Sequence, residues 1–169
     1  MNKFAVNDCV VYGKSGLCKI IEIKKILVAG KRDEYYILNS INENQVTIYV
    51  PCNNITLVSK MRYPMTAEQI NNILLEAKGQ HLPCIENRIE RANYFNSIPE
   101  SENYRDWLLL VGCINLKKQE KRKNVKPLSS NDEKTLNLLE KLIEDEFCYS
   151  LNIEHSKIGE YIRQKLGIE

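Results

Sequence analysis

The densest chemistry in the chain is electrostatic. Lys117-Lys-Gln-Glu-Lys-Arg-Lys-Asn-Val-Lys126 carries six basic residues and one acid, a local positive field able to hold phosphates by displacing their counterions. Cations at a helix end also oppose the macrodipole, and charge runs commonly serve solubility, so the run by itself names no partner. Arg88 and Arg91 add to the basic inventory and are offset by Glu86 and Glu90. Bond-making chemistry is harder to assemble. Gly13-Lys-Ser-Gly16 lacks the remaining spacing of a phosphate loop and opens no helix. His81 and His155 sit in no nucleophile motif, and each reads as a surface or capping residue. Glu144, Asp145 and Glu146 are consecutive on a helix, so they point in different directions and read as a solvated face. Cys9, Cys18, Cys52, Cys84, Cys113 and Cys148 form no Cys-x-x-Cys pair and have no neighbouring His, which gives no zinc ligand set. With no metal, cofactor loop or nucleophile–base pair, the expectation is a protein that is not an enzyme.

Composition sets the stage for that chemistry. The chain has 169 residues, 43% of them hydrophobic and 27% charged, which is ordinary folded material with room for two modest modules. A net charge of +2 makes no global case for nucleic acid, so local clusters must carry it. The longest apolar run, Trp107–Val111, is too short to span a bilayer, and no signal-peptide core opens the sequence, so the expected setting is cytoplasmic with reduced thiols.

The elements that position these residues change period along the chain. From Asp8 to Ser59, short Val-, Ile- and Tyr-rich runs broken by Gly and Asn predict five strands. These are Cys9–Tyr12, Leu17–Val28, Glu34–Asn39, Gln45–Val50 and Ile55–Val58, joined at Gly13–Gly16, Ala29–Arg32 and Asn42–Asn44. Val46, Ile48 and Val50 alternate with Gln45, Thr47 and Tyr49, so one face of that strand is buried and the other is exposed. Five short antiparallel strands predict a small SH3-like or Tudor-like barrel over residues 1–60.

After Pro64 the spacing becomes helical, and residues 61–169 read as an all-α domain of about five helices, giving an α+β protein. Thr66-Ala-Glu-Gln69 fits a capping box, followed by Ile70, Ile73, Leu74 and Ala77 and stopped at Gly79. A second helix spans Pro83 to Asn96 with Ile85, Ile89 and Ala92 on one buried side. A third starts near Glu100 and carries Tyr104, Trp107, Leu108, Val111 and Ile114 inward, with Trp107 a core anchor. Ser130-Asn-Asp-Glu133 opens a fourth with Leu136, Leu139, Ile143, Phe147 and Leu151. Ser156 caps the last, Lys157 to Leu166, closed by Gly167.

Phe4-Ala-Val-Asn-Asp-Cys-Val-Val-Tyr12, with Gly16, Ile20, Ile23, Gly30, Glu34-Tyr-Tyr-Ile-Leu38 and Ile48-Tyr-Val-Pro51, resembles the N-terminal domain of the CarD family of bacterial transcription regulators. Similarity continues through Arg62 and, along the helices, through Tyr104–Val111, Leu128–Glu133 and Leu136–Leu151. The resemblance implies a barrel that binds the β subunit of RNA polymerase and a helical domain that contacts promoter DNA at the upstream edge of the melted bubble, altering open-complex stability. The same barrel occurs in transcription-repair coupling factor, but no Walker motif accompanies it here. Gly13, Lys14 and Ser15 stand where the family has Pro and His. The family's Trp-x-Arg-Arg-Tyr motif, whose Trp wedges into the minor groove, aligns with Ile85-Glu-Asn-Arg-Ile89, where only Arg88 matches. Trp107 lies in the following helix and does not replace the wedge.

The expected polymerase-binding residues are therefore Thr47, Tyr49, Val50 and Pro51, a polar and aromatic strand that could pair through its edge. The expected DNA-binding residues are Ile85, Arg88, Arg91, Lys117, Lys118, Lys121, Arg122 and Lys123, with Ile85 either a weaker wedge or a core residue. The alternative is a polymerase-binding or other protein-binding adaptor without the wedge, favoured by the missing Trp and the near-neutral charge.

Overall fold

The structure is a computed structural model that describes residues 3–41, 46–83, 85–123 and 127–168. The chain divides into two compact units, Met1–Met65 and Thr66–Glu169.

Unit 1 is a five-stranded antiparallel sheet of β1 (Cys9–Tyr12), β2 (Leu17–Val28), β3 (Lys31–Ser40), β4 (Thr47–Pro51) and β5 (Met61–Arg62), in the order β4-β3-β2-β1-β5. Alternation puts Val10, Cys18, Ile20, Tyr36, Leu38, Val50 and Met61 on one side, where they bury one another and Phe4. The β2–β3 hairpin turns on two residues with positive φ, Ala29 at 50° and Gly30 at 79°, the left-handed pair whose twist matches that of the flanking strands. The expected turn at Ala29–Arg32 is thus shorter than its sequence suggested, and Lys31 and Arg32 pair with Val28 and Leu27 as strand residues.

Three other expectations change in unit 1. Ile55–Val58 is a one-turn helix, α1, because the Asn54 side chain accepts the Leu57 backbone N–H and starts a helical turn before the β-branched residues can extend. The fifth strand is instead Met61–Arg62, pairing with β1, so this unit extends past residue 60. The sheet is also not a closed barrel: β4 and β5 are its two edges, and no ladder joins them among the described residues. Gln45 and the turn at Asn42–Asn44 lie outside the described residues.

Unit 2 contains α2 (Ala67–Ala77), α3 (Arg88–Ser97), α4 (Tyr104–Lys123), α5 (Ser130–Leu151) and α6 (His155–Leu166). The Thr66–Gln69 capping box forms in both directions and directs Ile70, Leu74 and Ala77 inward. They share the unit's buried set with Trp107, Leu110, Ile114, Leu139, Ile143, Phe147 and Ile158. Trp107 is a core anchor: its indole Nε1 donates to the Ile98 carbonyl at 2.9 Å, which satisfies the one polar atom its burial would strand.

The helical reading needs correction at four places. The second helix does not begin at Pro83. Asn87 accepts N–H groups from Ile89 and Glu90, and this cap fixes the start of α3 at Arg88, leaving Ile85 in an irregular segment. The stripe of Ile85, Ile89 and Ala92 is consequently not a core face, since Ile89 is 72% exposed. Caps shift elsewhere too: Ser129, not Ser130, accepts the Asp132 N–H at the start of α5, and α6 begins at His155 behind Glu154 with Ser156 inside its first turn. Finally, Glu144–Glu146 is not a solvated face. α6 folds back along α5, and Asp145 and Glu146 are buried to 8% and 1% exposure.

No described helix is long and apolar enough to cross a membrane. Among the described residues, no group of three His, Cys, Asp or Glu could hold a metal ion.

Candidate functional site

Strand β4 is one of the two edge strands of unit 1, and its register with β3 decides what each residue presents. Thr47 pairs with Asn39, Tyr49 with Ile37 and Pro51 with Tyr35, so these three point away from the core while Ile48 and Val50 point into it. Tyr49 is 56% exposed, whereas Val50 is completely buried. Of the four residues expected on this strand, Thr47, Tyr49 and Pro51 offer side chains and Val50 only its backbone. Thr47 Oγ1 donates to Asn39 Oδ1 at 3.1 Å, which fixes the outward hydroxyl. As an edge, β4 also carries backbone groups with no strand on their far side among the described residues, the arrangement that accepts a partner strand.

The same register extends this surface to residues the sequence reading did not single out. On β2 and β3, Lys24 lies opposite Tyr35, Ile26 opposite Asp33 and Val28 opposite Lys31, all on the outward side shared with Tyr49 and Pro51. Val28 is 50% exposed and Leu27, on the other side of the hairpin, 63%. The signal was present as an apolar run continuing past the last core residue, Ile23, between Lys24-Lys25 and Lys31-Arg32.

The N-terminal segment is clamped over the other end of this unit. Phe4 packs edge-on against Tyr36 and Tyr63, and the Tyr36 hydroxyl accepts the Lys3 N–H at 3.1 Å. Asp8 Oδ2 accepts both the Ala5 N–H and the Tyr63 hydroxyl, each at 2.9 Å. The hydrogen bond to Asp8 raises the Tyr63 phenol above its ordinary pKa. At the end of β4, burial raises the Cys52 thiol, helped by the negative charge of Glu34.

In unit 2 the basic run is partly engaged within the protein. Lys117 forms an ion pair with Asp132 across the α4–α5 junction, and Lys121 Nζ donates to the Pro127 carbonyl at 3.0 Å. Burial works against the Asp132 carboxylate, but hydrogen bonds from Lys117 and Ser129 and the nearby Lys121 charge outweigh it and hold its pKa below the ordinary value. Lys118 is half-buried, while Arg122 and Lys123 are exposed on the last turn of α4; Asn124–Lys126 lie outside the described residues.

The other expected DNA contacts fall at the start of α3. Ile85 is half-buried and accepts through its carbonyl the Arg91 Nη1 donor at 3.2 Å. Arg88 opens the helix, and its side chain lies outside the described residues. Ile89 is the exposed apolar side chain of that first turn. The structure therefore separates Ile85 from solvent more than Ile89.

Charge is distributed unevenly between the units. Residues 1–65 contain nine basic and five acidic side chains, residues 66–169 fifteen and seventeen. The positive excess lies in the sheet unit, and the basic run of α4 is a local feature of an otherwise acidic unit.

Comparison with known proteins adds one assignment. Residues 4–62 match the family model of the CarD-like/TRCF RID domain, a span that runs from Phe4 in the clamped segment to Arg62 at the end of β5. No curated protein matches the chain.

Proposed function

With a CarD-like/TRCF RID domain in unit 1 as the premise, we propose that the chain is a transcription regulator that docks on the β subunit of RNA polymerase and contacts promoter DNA through unit 2. A RID domain is an RNA polymerase-interaction domain, and its match over residues 4–62 supports a role in transcription. The observation that carries the docking is the β4 edge, with no further strand beyond it among the described residues and Thr47, Tyr49 and Pro51 facing outward. Backbone pairing along such an edge supplies affinity, and the outward side chains with the exposed end of the β2–β3 hairpin supply selectivity.

DNA contact is the second half of the reading. Arg122 and Lys123 would meet phosphates, giving salt-dependent and sequence-independent affinity. The apolar group for a distorted base step would be Ile89, because it is exposed where Ile85 is half-buried. Isoleucine lacks the stacking face of indole, so its effect on bubble collapse is weaker than a Trp wedge. Bound on polymerase and on the upstream edge of the bubble together, the protein would change open-complex lifetime.

A polymerase-binding adaptor without wedge activity is the second reading, favoured by the acidic balance of unit 2 and by the internal pairing of Lys117 and Lys121. Open-complex lifetime measured with purified polymerase separates the two. A change in lifetime that requires Ile89 supports the regulator, and binding to polymerase with an unchanged lifetime supports the adaptor.

A further inference from the structure

The β2–β3 hairpin runs on past the rest of its sheet. Strand β1 pairs with β2 only from Leu17 to Lys19, and β4 with β3 only from Tyr35 to Asn39. Beyond those ladders Lys25–Val28 and Lys31–Glu34 pair with each other alone among the described residues, and at about 3.4 Å per residue the tip stands about 14 Å past the end of β4. Leu27 and Val28 are 63% and 50% exposed there, and Lys25, Lys31 and Arg32 are exposed with them. Nothing lies within 4 Å of where a Gly30 Cβ would be.

Charge and register together identify the occupant. Residues 24–32 contain four cations and no acid. Lys24 pairs with Glu22 at 3.7 Å, whereas Lys31, Arg32 and Lys25, although Lys25 lies opposite Glu34 in the ladder, have no ion pair among the described residues. The acids that follow belong to the base of the hairpin, where Asp33 Oδ1 accepts the Asn53 Nδ2 donor at 3.1 Å and the Glu34 carbonyl accepts the Cys52 N–H at 2.8 Å. The tip is therefore a site for an anion. Leu27 lies opposite Arg32 on one face and Val28 opposite Lys31 on the other, so each face ends in one apolar side chain and one cation. A flat acidic protein surface would meet one face and leave the other in water. A groove walled by two rows of phosphates meets both, and the major groove of a duplex admits a two-stranded ribbon. We propose that the end of the β2–β3 hairpin is a duplex nucleic-acid site that enters a groove with Lys25, Lys31 and Arg32 on phosphates and Leu27 and Val28 toward the bases. The polymerase reading engages only the side of the hairpin shared with Tyr49, and this proposal goes beyond it.

Anisotropy of a labelled mixed-sequence duplex, titrated with the full chain at several salt concentrations, tests it. No polymerase is present, so a failure of the docking reading leaves the result standing. Lys25→Ala/Lys31→Ala/Arg32→Ala should weaken binding at least about tenfold near 0.1 M salt and reduce the salt slope by about two to three. Leu27→Ser/Val28→Ser should weaken it about three- to tenfold with the slope unchanged, because an apolar contact releases no counterion. All five side chains are exposed, so both variants should melt with wild type. The same losses should appear in an Arg122→Ala/Lys123→Ala background, which removes the cations of unit 2. A triple variant with wild-type affinity and slope overturns the proposal, whatever Arg122 and Lys123 contribute. So does the disappearance of all duplex binding in that background. Poly-L-glutamate that displaces the duplex there at equal concentration of charge would make the hairpin a site for acidic protein, and overturns it too.

Discussion

Lys117 is ion-paired with Asp132 across the α4–α5 junction, so the first cation of the basic run holds two helices together before it can meet any partner. The pairing sets a pH dependence whose sign follows from the lowered Asp132 pKa. Folding favours the ionised carboxylate. Its contribution is complete above the ordinary carboxylate value and is lost as pH falls through the lowered folded one. Thermal unfolding of wild type and Asp132→Asn should therefore differ most near neutral pH and converge as pH falls below the lowered Asp132 value. Parallel curves across that range would show that the pair does not contribute.

The basic run also makes a prediction about nucleic acid. Neutralising Lys121, Arg122 and Lys123 should weaken binding to unrelated DNA sequences alike and reduce the salt slope by about two, since Lys121 is held by Pro127. Asp132→Asn, by releasing Lys117, should steepen the slope. Fluorescence anisotropy at several salt concentrations reads both effects, and unchanged slopes would leave the run with a solubility role.

Ile85 and Ile89 now separate in what their removal should do. Ile85→Ala should destabilise unit 2 by less than about 2 kcal/mol, because the side chain is only half-buried. Ile89→Ala should leave the free energy of unfolding within about 1 kcal/mol of wild type while shortening open-complex lifetime. A large loss of stability in Ile89→Ala would place that side chain in a core that the structure does not give it.

The sequence showed the architecture more clearly than the site. Ile70, Leu74 and Ala77 were legible as a helix face because a capping box and a 3.6-residue period agreed, and Tyr49 was legible as outward because period two leaves no choice once Val50 is inside. Ile55–Val58 was not, because a single side-chain cap from Asn54 overrode a β-branched run. The i, i+4, i+7 spacing of Ile85, Ile89 and Ala92 suggested a buried stripe, but Asn87 interrupts it and the register breaks there. Asp145 looked solvated because the residue that meets it, His155 of α6, arrives from farther along the chain. The pairing of Lys117 with Asp132 was hidden for the same reason: local spacing records neighbours on one helix, not the helix packed beside it.

Cys148 offers a check on the packing of α5. Burial, with the charges of Glu144 and Asp145, pushes its thiol up to about 11. At about pH 8 its thiolate fraction should be about a hundredfold below that of the unfolded chain, so native alkylation followed by mass spectrometry should find it slow. Rapid labelling at neutral pH would mean that the acidic end of α5 is open.

The central claim is that the β4 edge docks on the polymerase β subunit, and equilibrium binding of the full chain to an isolated β-subunit fragment tests it most directly. Tyr49→Asp puts a charge on the outward side chain without touching Val50 in the core, so the variant should keep wild-type thermal stability and lose at least about tenfold in affinity. Wild-type affinity in a folded Tyr49→Asp protein would contradict the claim.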